Sequence, residues 1–261
     1  MAEFDFDHAV IGGGIVGSWT ALQLIRAGKK VLLLEQALFR ERGGEQRDNC
    51  RVVRLEPVGE EAVKLHLDTQ KIITVKSVVV CAGCWAQKLL LPFVNLPLQA
   101  TVVRVYYFKA KEKGAYSEKS GFPCMIDLGH PEIYSIPSYE YPDLVKICIH
   151  GGVPCDHEAR DKTPQDPKIE KKLKDYVKEH FPLLEPEPSI VEVCMYTMTP
   201  DEVFLIDSVP QHKNIVYGAG FSGSGFKTSP TVGKLLSQLA MGTEPFLDLS
   251  PYRASRFPQK K

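Results

Sequence analysis

Apolar residues cluster over Phe6–Ile11 with strand character and lead into Gly12-Gly13-Gly14-Ile15-Val16-Gly17. Helical spacing then holds over Ser18–Ala27, Gly28 ends that segment, and Lys29–Leu34 reads as a second buried strand closing on Glu35. The pattern predicts a βαβ unit, and its place at the start of the chain predicts a parallel sheet wrapped by helices. Downstream the texture shortens. A helix tail and turn are expected over Ala37–Asn49, then short strands over Arg51–Pro57, Ala62–Leu67 and Ile72–Lys76. Ser77–Cys81 is a further buried strand, ending in Ala82-Gly83 before a helix over Trp85–Leu91.

Leu98–Phe108, Glu132–Ile136 and Leu144–His150 alternate in polarity and predict antiparallel members of a second sheet. Pro-rich, charged segments at His157–Pro167 and Leu184–Pro188 bracket a helix over Ile169–His180, whose Ile169, Leu173, Tyr176 and Val177 keep helical spacing. The tail returns to α/β texture: strands at Val203–Ile206 and Ile215–Gly218, the Gly-rich Gly218–Lys227, and a helix over Pro230–Met241. No internal repeat is visible.

The 261 residues carry 32 Lys+Arg against 32 Asp+Glu, a formal net charge of zero, which removes any general attraction for phosphate backbones or anionic membranes. Nucleic acid and membrane are therefore not expected partners. No window approaches the roughly 20 apolar residues that span a bilayer. The start MAEFDFDHAV lacks the basic and apolar regions of a secretory signal. Seven scattered cysteines (Cys50, Cys81, Cys84, Cys124, Cys148, Cys155 and Cys194) argue for reduced thiols rather than a disulfide framework.

Gly12-x-Gly14-x-x-Gly17 has a physical reason at each position. The first glycine makes the tight turn, the second lets the backbone approach a pyrophosphate, and the third lets helix and strand pack closely. The helix N-terminus faces the anion, and Glu35 can accept the ribose hydroxyls. This constellation predicts dinucleotide binding without separating NAD from FAD. Ala82-Gly83 with Trp85 is a second small-residue turn against which a dinucleotide could lie, or a plain strand–helix turn. Cys81-x-x-Cys84 lacks a second Cys pair or His pair, so a zinc or redox role is disfavoured and no metal is expected.

Two further stretches carry a resemblance. Cys194-Met-Tyr196-Thr-Met198-Thr-Pro-Asp-Glu202 and Asn214-Ile-Val-Tyr-Gly218-Ala-Gly220-Phe-Ser-Gly223-Ser-Gly225-Phe-Lys227 resemble the C-terminal signature of the monomeric sarcosine oxidase family, and the likeness extends over nearly the whole chain. The resemblance implies an FAD-dependent oxidase of small secondary amino acids, sarcosine or L-pipecolate, that transfers a hydride to flavin and uses O2 to give H2O2. It also implies a monomer and a peroxisomal location. By resemblance, Cys194 bonds the flavin as a thioether, Tyr134 and Tyr196 line the substrate site, and Lys227 holds the substrate carboxylate. Lys146 activates O2, with His150 nearby. The residues agree on one point of geometry: Lys146, Cys148 and His150 alternate with Val145, Ile147 and Ile149, giving one apolar and one cationic strand face. The expected FAD contacts are Gly12, Gly14, Ile15, Val16, Gly17, Glu35, Val52, Ala82, Gly83, Trp85, Cys194, Gly220, Gly223, Gly225 and Lys227. The expected fold is α/β: a discontinuous FAD-binding Rossmann-like domain over residues 1–91 and 200–261, and a truncated antiparallel-sheet substrate domain over 92–199.

The sequence departs from that family in places. Members carry, after the acid of the second strand, a long stretch with a flavin-contacting loop and a substrate-binding arginine. Here Leu34-Glu35-Gln36 runs directly into Ala37–Arg51, with the join near Gln36/Ala37. Arg51 and Arg54 read as strand residues and not as the missing arginines. Ser224 stands where the family commonly has histidine, and Met198 where it has asparagine. Pro258-Gln-Lys-Lys261 lacks a Ser-Lys-Leu-like tripeptide, so a cytoplasmic location is the alternative. The rival readings are a non-catalytic truncated product and, from the N-terminal fingerprint alone, an NAD-dependent dehydrogenase.

Overall fold

The computed structural model describes residues 4–35 and 45–258. Along the chain these form β1 (Phe6–Ile11), α1 (Ile15–Arg26), β2 (Val31–Leu34), β3 (Glu45–Arg47), β4 (Val52–Val58), β5 (Ala62–Leu67), β6 (Ile72–Val80) and α2 (Ala86–Leu90). Next come β7 (Gln99–Ala110), β8 (Met125–Asp127), β9 (Ile133–Tyr141), β10 (Leu144–Ile149), β11 (Val153–Pro154), α3 (Pro167–His180) and β12 (Leu184–Met198). The chain closes with β13 (Leu205–Val209), β14 (His212–Ala219) and α4 (Gly225–Ala240). Two compact units result: residues 1–99 with 197–261, and residues 100–196.

The first unit is a mixed sheet in the order β13-β14-β6-β1-β2-β3, with the β4–β5 hairpin attached to β6. β1 runs parallel to β2 and β6, and β14 runs parallel to β6. Alternate residues feed two cores. Val10, Leu33, Val79 and Val216 pack beneath α1 and α4, while Ala9, Leu32, Val78 and Tyr217 pack on the face that carries α2 and the hairpin. A sheet covered on both faces explains why these strands are continuously apolar instead of alternating.

Several expected boundaries move, each for a physical reason. Ile72–Val80 is one strand and not two: the polar pair Lys76-Ser77 is satisfied across the ladder, Lys76 by the Asp7 carboxylate and Ser77 by His8. α4 starts at Gly225, ahead of the expected Pro230. Proline cannot donate to the Phe226 carbonyl, and the Ser229 hydroxyl takes that acceptor at 2.7 Å. Within the expected turn at Ala37–Asn49, Glu45–Arg47 is instead a strand parallel to β2, and residues 36–44 lie outside the described residues. Leu184–Pro188 belongs to β12, which among the described residues pairs only with β7, an edge position that tolerates Pro186 and Pro188.

The second unit is an antiparallel sheet in the order β11-β7-β10-β9-β8, with β12 also on β7. Leu173 and Val177 of α3 pack on Tyr106, Phe108, Val145 and Ile147. The opposite face holds a smaller cluster of Val105, Tyr107 and Cys148, with Tyr134 and Ile190 against it. The β10 face expected to be cationic is therefore half covered, and Cys148 is wholly buried in its middle.

Candidate functional site

In the first unit, β1 ends in a turn whose glycines are dictated by backbone contacts. At Gly12, with φ +102°, a Cβ would stand 2.3 Å from the Cys81 carbonyl oxygen. At Gly17 a Cβ would stand 1.9 Å from the Gly12 carbonyl oxygen. The two positions lock the end of β1, the start of α1 and the turn after β6 together. At Gly14, by contrast, a Cβ would meet nothing within 4 Å. Nothing in the protein requires glycine there; the bare backbone faces open space at the start of α1, where no side chain caps the helix. The Glu35 carboxylate accepts a hydrogen bond from the Gly13 N–H.

These groups border a cavity of about 520 Å3. Of the residues expected to contact FAD, it brings together Gly12, Gly14, Glu35, Val52, Ala82, Gly83 and Trp85. Ile15, Val16 and Gly17 do not line it: Val16 is buried between α1 and the sheet, and Gly17 faces Gly12. Arg51 and Lys88 also line it. Arg51, expected as a strand residue, stands just before β4 and reaches the cavity, and no spacing in the sequence marks Lys88 as its partner there. The set fits a dinucleotide: bare backbone and uncapped helical N–H groups with two cations for a pyrophosphate, and a carboxylate for ribose hydroxyls.

Gly220, Gly223, Gly225 and Lys227 lie elsewhere in the same unit and do not line this cavity. They form the turn into α4, held by Ser222, whose N–H donates to the Thr197 carbonyl at 3.0 Å and whose hydroxyl accepts from the Thr199 N–H at 3.2 Å. Phe226 is 79% exposed, and Lys227 beside it is exposed and makes no ion pair among the described residues. Ser224 is the residue before α4 and supplies no side-chain cap.

In the second unit the structure gathers Tyr134, Tyr196 and His150. Tyr134 lies opposite Cys148 in the β9–β10 register, and its hydroxyl hydrogen-bonds to the Cys148 thiol and to Tyr196. The His150 and Tyr196 rings lie 5.6 Å apart. Burial pushes both phenols and the Cys148 thiol above their ordinary pKa values, so all three are protonated donors near neutrality. Cys194, two residues before Tyr196 on β12, is exposed.

Lys146 faces a different set. Its ammonium lies 3.0 Å from the Glu140 carboxylate and over the Tyr107 ring at 5.6 Å. Glu140 also accepts from the Tyr107 hydroxyl, and both hydrogen bonds hold its carboxyl below the usual range against the opposing cost of burial. The Lys146 charge is thus already matched by a carboxylate that the sequence reading did not pick out.

The CxxC cysteines are separately occupied. Burial raises the Cys81 thiol to about 12, and the Cys84 sulfur lies 3.1 Å from the Thr197 hydroxyl.

Residues 7–39 and 36–239 match the family profile described as FAD dependent oxidoreductase, in two pieces that meet at 36–39. The chain is 40% identical to human peroxisomal sarcosine oxidase over 251 residues, covering 94% of this chain and 61% of that protein. It is 43% identical to the mouse peroxisomal sarcosine oxidase over 233 residues, covering 87% of this chain and 59% of the relative. It therefore spans about three-fifths of the length of these relatives. Among solved structures, the open form of NikD, an amino acid oxidase essential for nikkomycin biosynthesis, superposes with a TM-score of 0.79 at 15% identity, covering 96% of this chain and 98% of that one. That last likeness is one of fold.

Proposed function

The chain belongs to the FAD dependent oxidoreductase family, and from that premise we propose that it binds FAD in its first unit and oxidises the C–N bond of a small secondary amino acid, sarcosine or L-pipecolate. The observation that carries the cofactor is Gly14, whose bare backbone faces open space beside a cavity rimmed by Glu35 and Arg51. Sarcosine rests on the names of the mammalian relatives, and L-pipecolate on the resemblance carried by the Cys194–Lys227 stretch.

FAD held by the Gly12–Gly17 turn and Glu35 would supply the two-electron acceptor chemistry of an amine oxidase, with O2 as the final acceptor and H2O2 as the product. The residues do the rest. Lys227, an exposed ammonium in the first turn of α4, holds the substrate carboxylate, helped by the positive end of that helix. Tyr134 and Tyr196 stay protonated and orient the amine by donating hydrogen bonds, and their raised pKa values make them unsuited to act as bases. Lys146 and His150 supply positive charge where negative charge develops during oxygen reduction, with the Glu140 pairing setting how much of the Lys146 charge is available. Cys194 tethers the cofactor through a thioether. The oxidised amine leaves as an imine that water hydrolyses.

One observation favours a second reading, a chain that holds FAD without turnover: the family match falls into two pieces that meet at 36–39, and the chain spans only about three-fifths of the length of its mammalian relatives. An absorption spectrum before and after acid precipitation, paired with oxygen consumption on sarcosine and on L-pipecolate, separates the two. Flavin bands that stay with the precipitate, together with oxygen uptake, support the oxidase. Bound flavin without uptake supports the second reading, and no flavin in the purified chain refutes both. The proposed compartment is the peroxisome and the proposed state a monomer, checked by imaging the tagged chain and by sedimentation.

A further inference from the structure

The α3-covered face of the second sheet is not filled to its end. Tyr106 and Phe108 of β7 lie under α3, but Val102 and Arg104, which continue the same strand face, run past the first turns of that helix. The gap they leave is a cavity of about 220 Å3, and residues of β7, α3, the end of β10 and the loop at Pro164 close it.

Its lining is unbalanced in charge. Arg104 and Lys172 line it, and among the described residues no aspartate or glutamate does. The half-buried Arg104 guanidinium donates to the Thr163 carbonyl at 2.8 Å, a neutral acceptor. Lys172 makes no ion pair among the described residues. The acid nearest in effect, Glu170, which bears on Tyr106, is already matched by Lys174 at 2.7 Å and by the Gln165 amide. A half-buried guanidinium without a counter-charge calls for an anion, and its planar fork suits a carboxylate. The Tyr106 hydroxyl accepts from Gln165 at 3.2 Å, which leaves its own proton free to donate. The remaining walls are hydrocarbon: Val102, Ile149, Val153 and Ile169.

We propose that this cavity binds a small monocarboxylate with an apolar body, its carboxylate on Arg104 and Lys172 and its hydrocarbon against Ile149 and Ile169. The volume admits one ring or a short branched chain and excludes a nucleotide or a peptide. The site is separate from the dinucleotide cavity and does not depend on the oxidase reading.

The test uses the full chain and saturation-transfer NMR with phenylacetate, against phenylethanol as the uncharged analogue. Saturable phenylacetate binding is expected, with phenylethanol about tenfold weaker or worse, the loss that goes with one charged hydrogen bond. Arg104→Gln and Lys172→Gln are each expected to weaken binding about tenfold. Ile169→Trp, which fills the cavity, should abolish it. Lys227→Met should leave it unchanged. Because Lys172 is exposed, its variant decides the matter should Arg104→Gln fail to fold. Absence of saturable binding overturns the proposal, as does equal binding of the two probes. So does loss of binding in Lys227→Met with Lys172→Gln unaffected, which would assign the carboxylate to the α4 turn.

Discussion

His8 links stability to pH in a way the structure makes quantitative. It lies on β1 opposite Ser77 of β6, the residue is 6% exposed, and Nδ1 lies 2.6 Å from the Ser77 hydroxyl. Burial disfavours the charged ring and lowers its pKa to about 4 from 6.5. Asp7 pulls the other way, and Lys29 and Lys76 reinforce the fall. The unfolded chain therefore binds a proton below pH 6.5 that the folded chain refuses until about pH 4, and stability falls as pH drops through that window and levels off below it. A gap of about 2.5 units at about 1.36 kcal/mol each amounts to about 3 kcal/mol, most of it lost by pH 4.5. Urea unfolding between pH 7.5 and 4.5, compared between the wild type and His8→Gln, isolates the effect, because other titrating groups are common to both. The wild type should lose about 2 to 3 kcal/mol more than the variant across this range. Parallel pH profiles would refute the assignment.

Three further outcomes follow from contacts already described. Gly17→Ala places a Cβ 1.9 Å from the Gly12 carbonyl; it should cost about 1 to 3 kcal/mol in denaturation and lower the flavin retained on purification. Leu173→Ala empties a fully buried position between α3 and the second sheet and should destabilise by about 2 to 5 kcal/mol, read by urea unfolding. The Arg256 guanidinium beside Asp201 holds that carboxyl at about 2; in Arg256→Gln, NMR titration should find it back near the ordinary carboxylate range.

What is legible in the sequence is set by near neighbours in the chain. The Gly12–Gly17 turn was legible because a left-handed φ and a backbone–backbone approach admit almost no other residue. The short apolar runs of β1 and β2, bounded by turn residues, and the helical spacing of Leu173 and Val177 on α3 were legible in the chain itself.

Tertiary structure decided whatever depends on which distant group satisfies a polar atom. Lys76-Ser77 looked like a strand break until Asp7 and His8 arrived from β1, and Pro230 looked like a helix start until Ser229 took the orphaned carbonyl. Arg51 and Lys88 come to one cavity from different elements, and Glu140 takes up the Lys146 charge across the irregular β9–β10 ladder. Sequence alone determined the βαβ cradle, the alternation of the strands and the family, because local backbone sterics and hydrophobic period act within a few residues. The counter-charge of Lys146 and the uncompensated cations at Arg104 and Lys172 were decided only by the fold, because electrostatic pairing depends on distance in space and carries no signature in residue spacing.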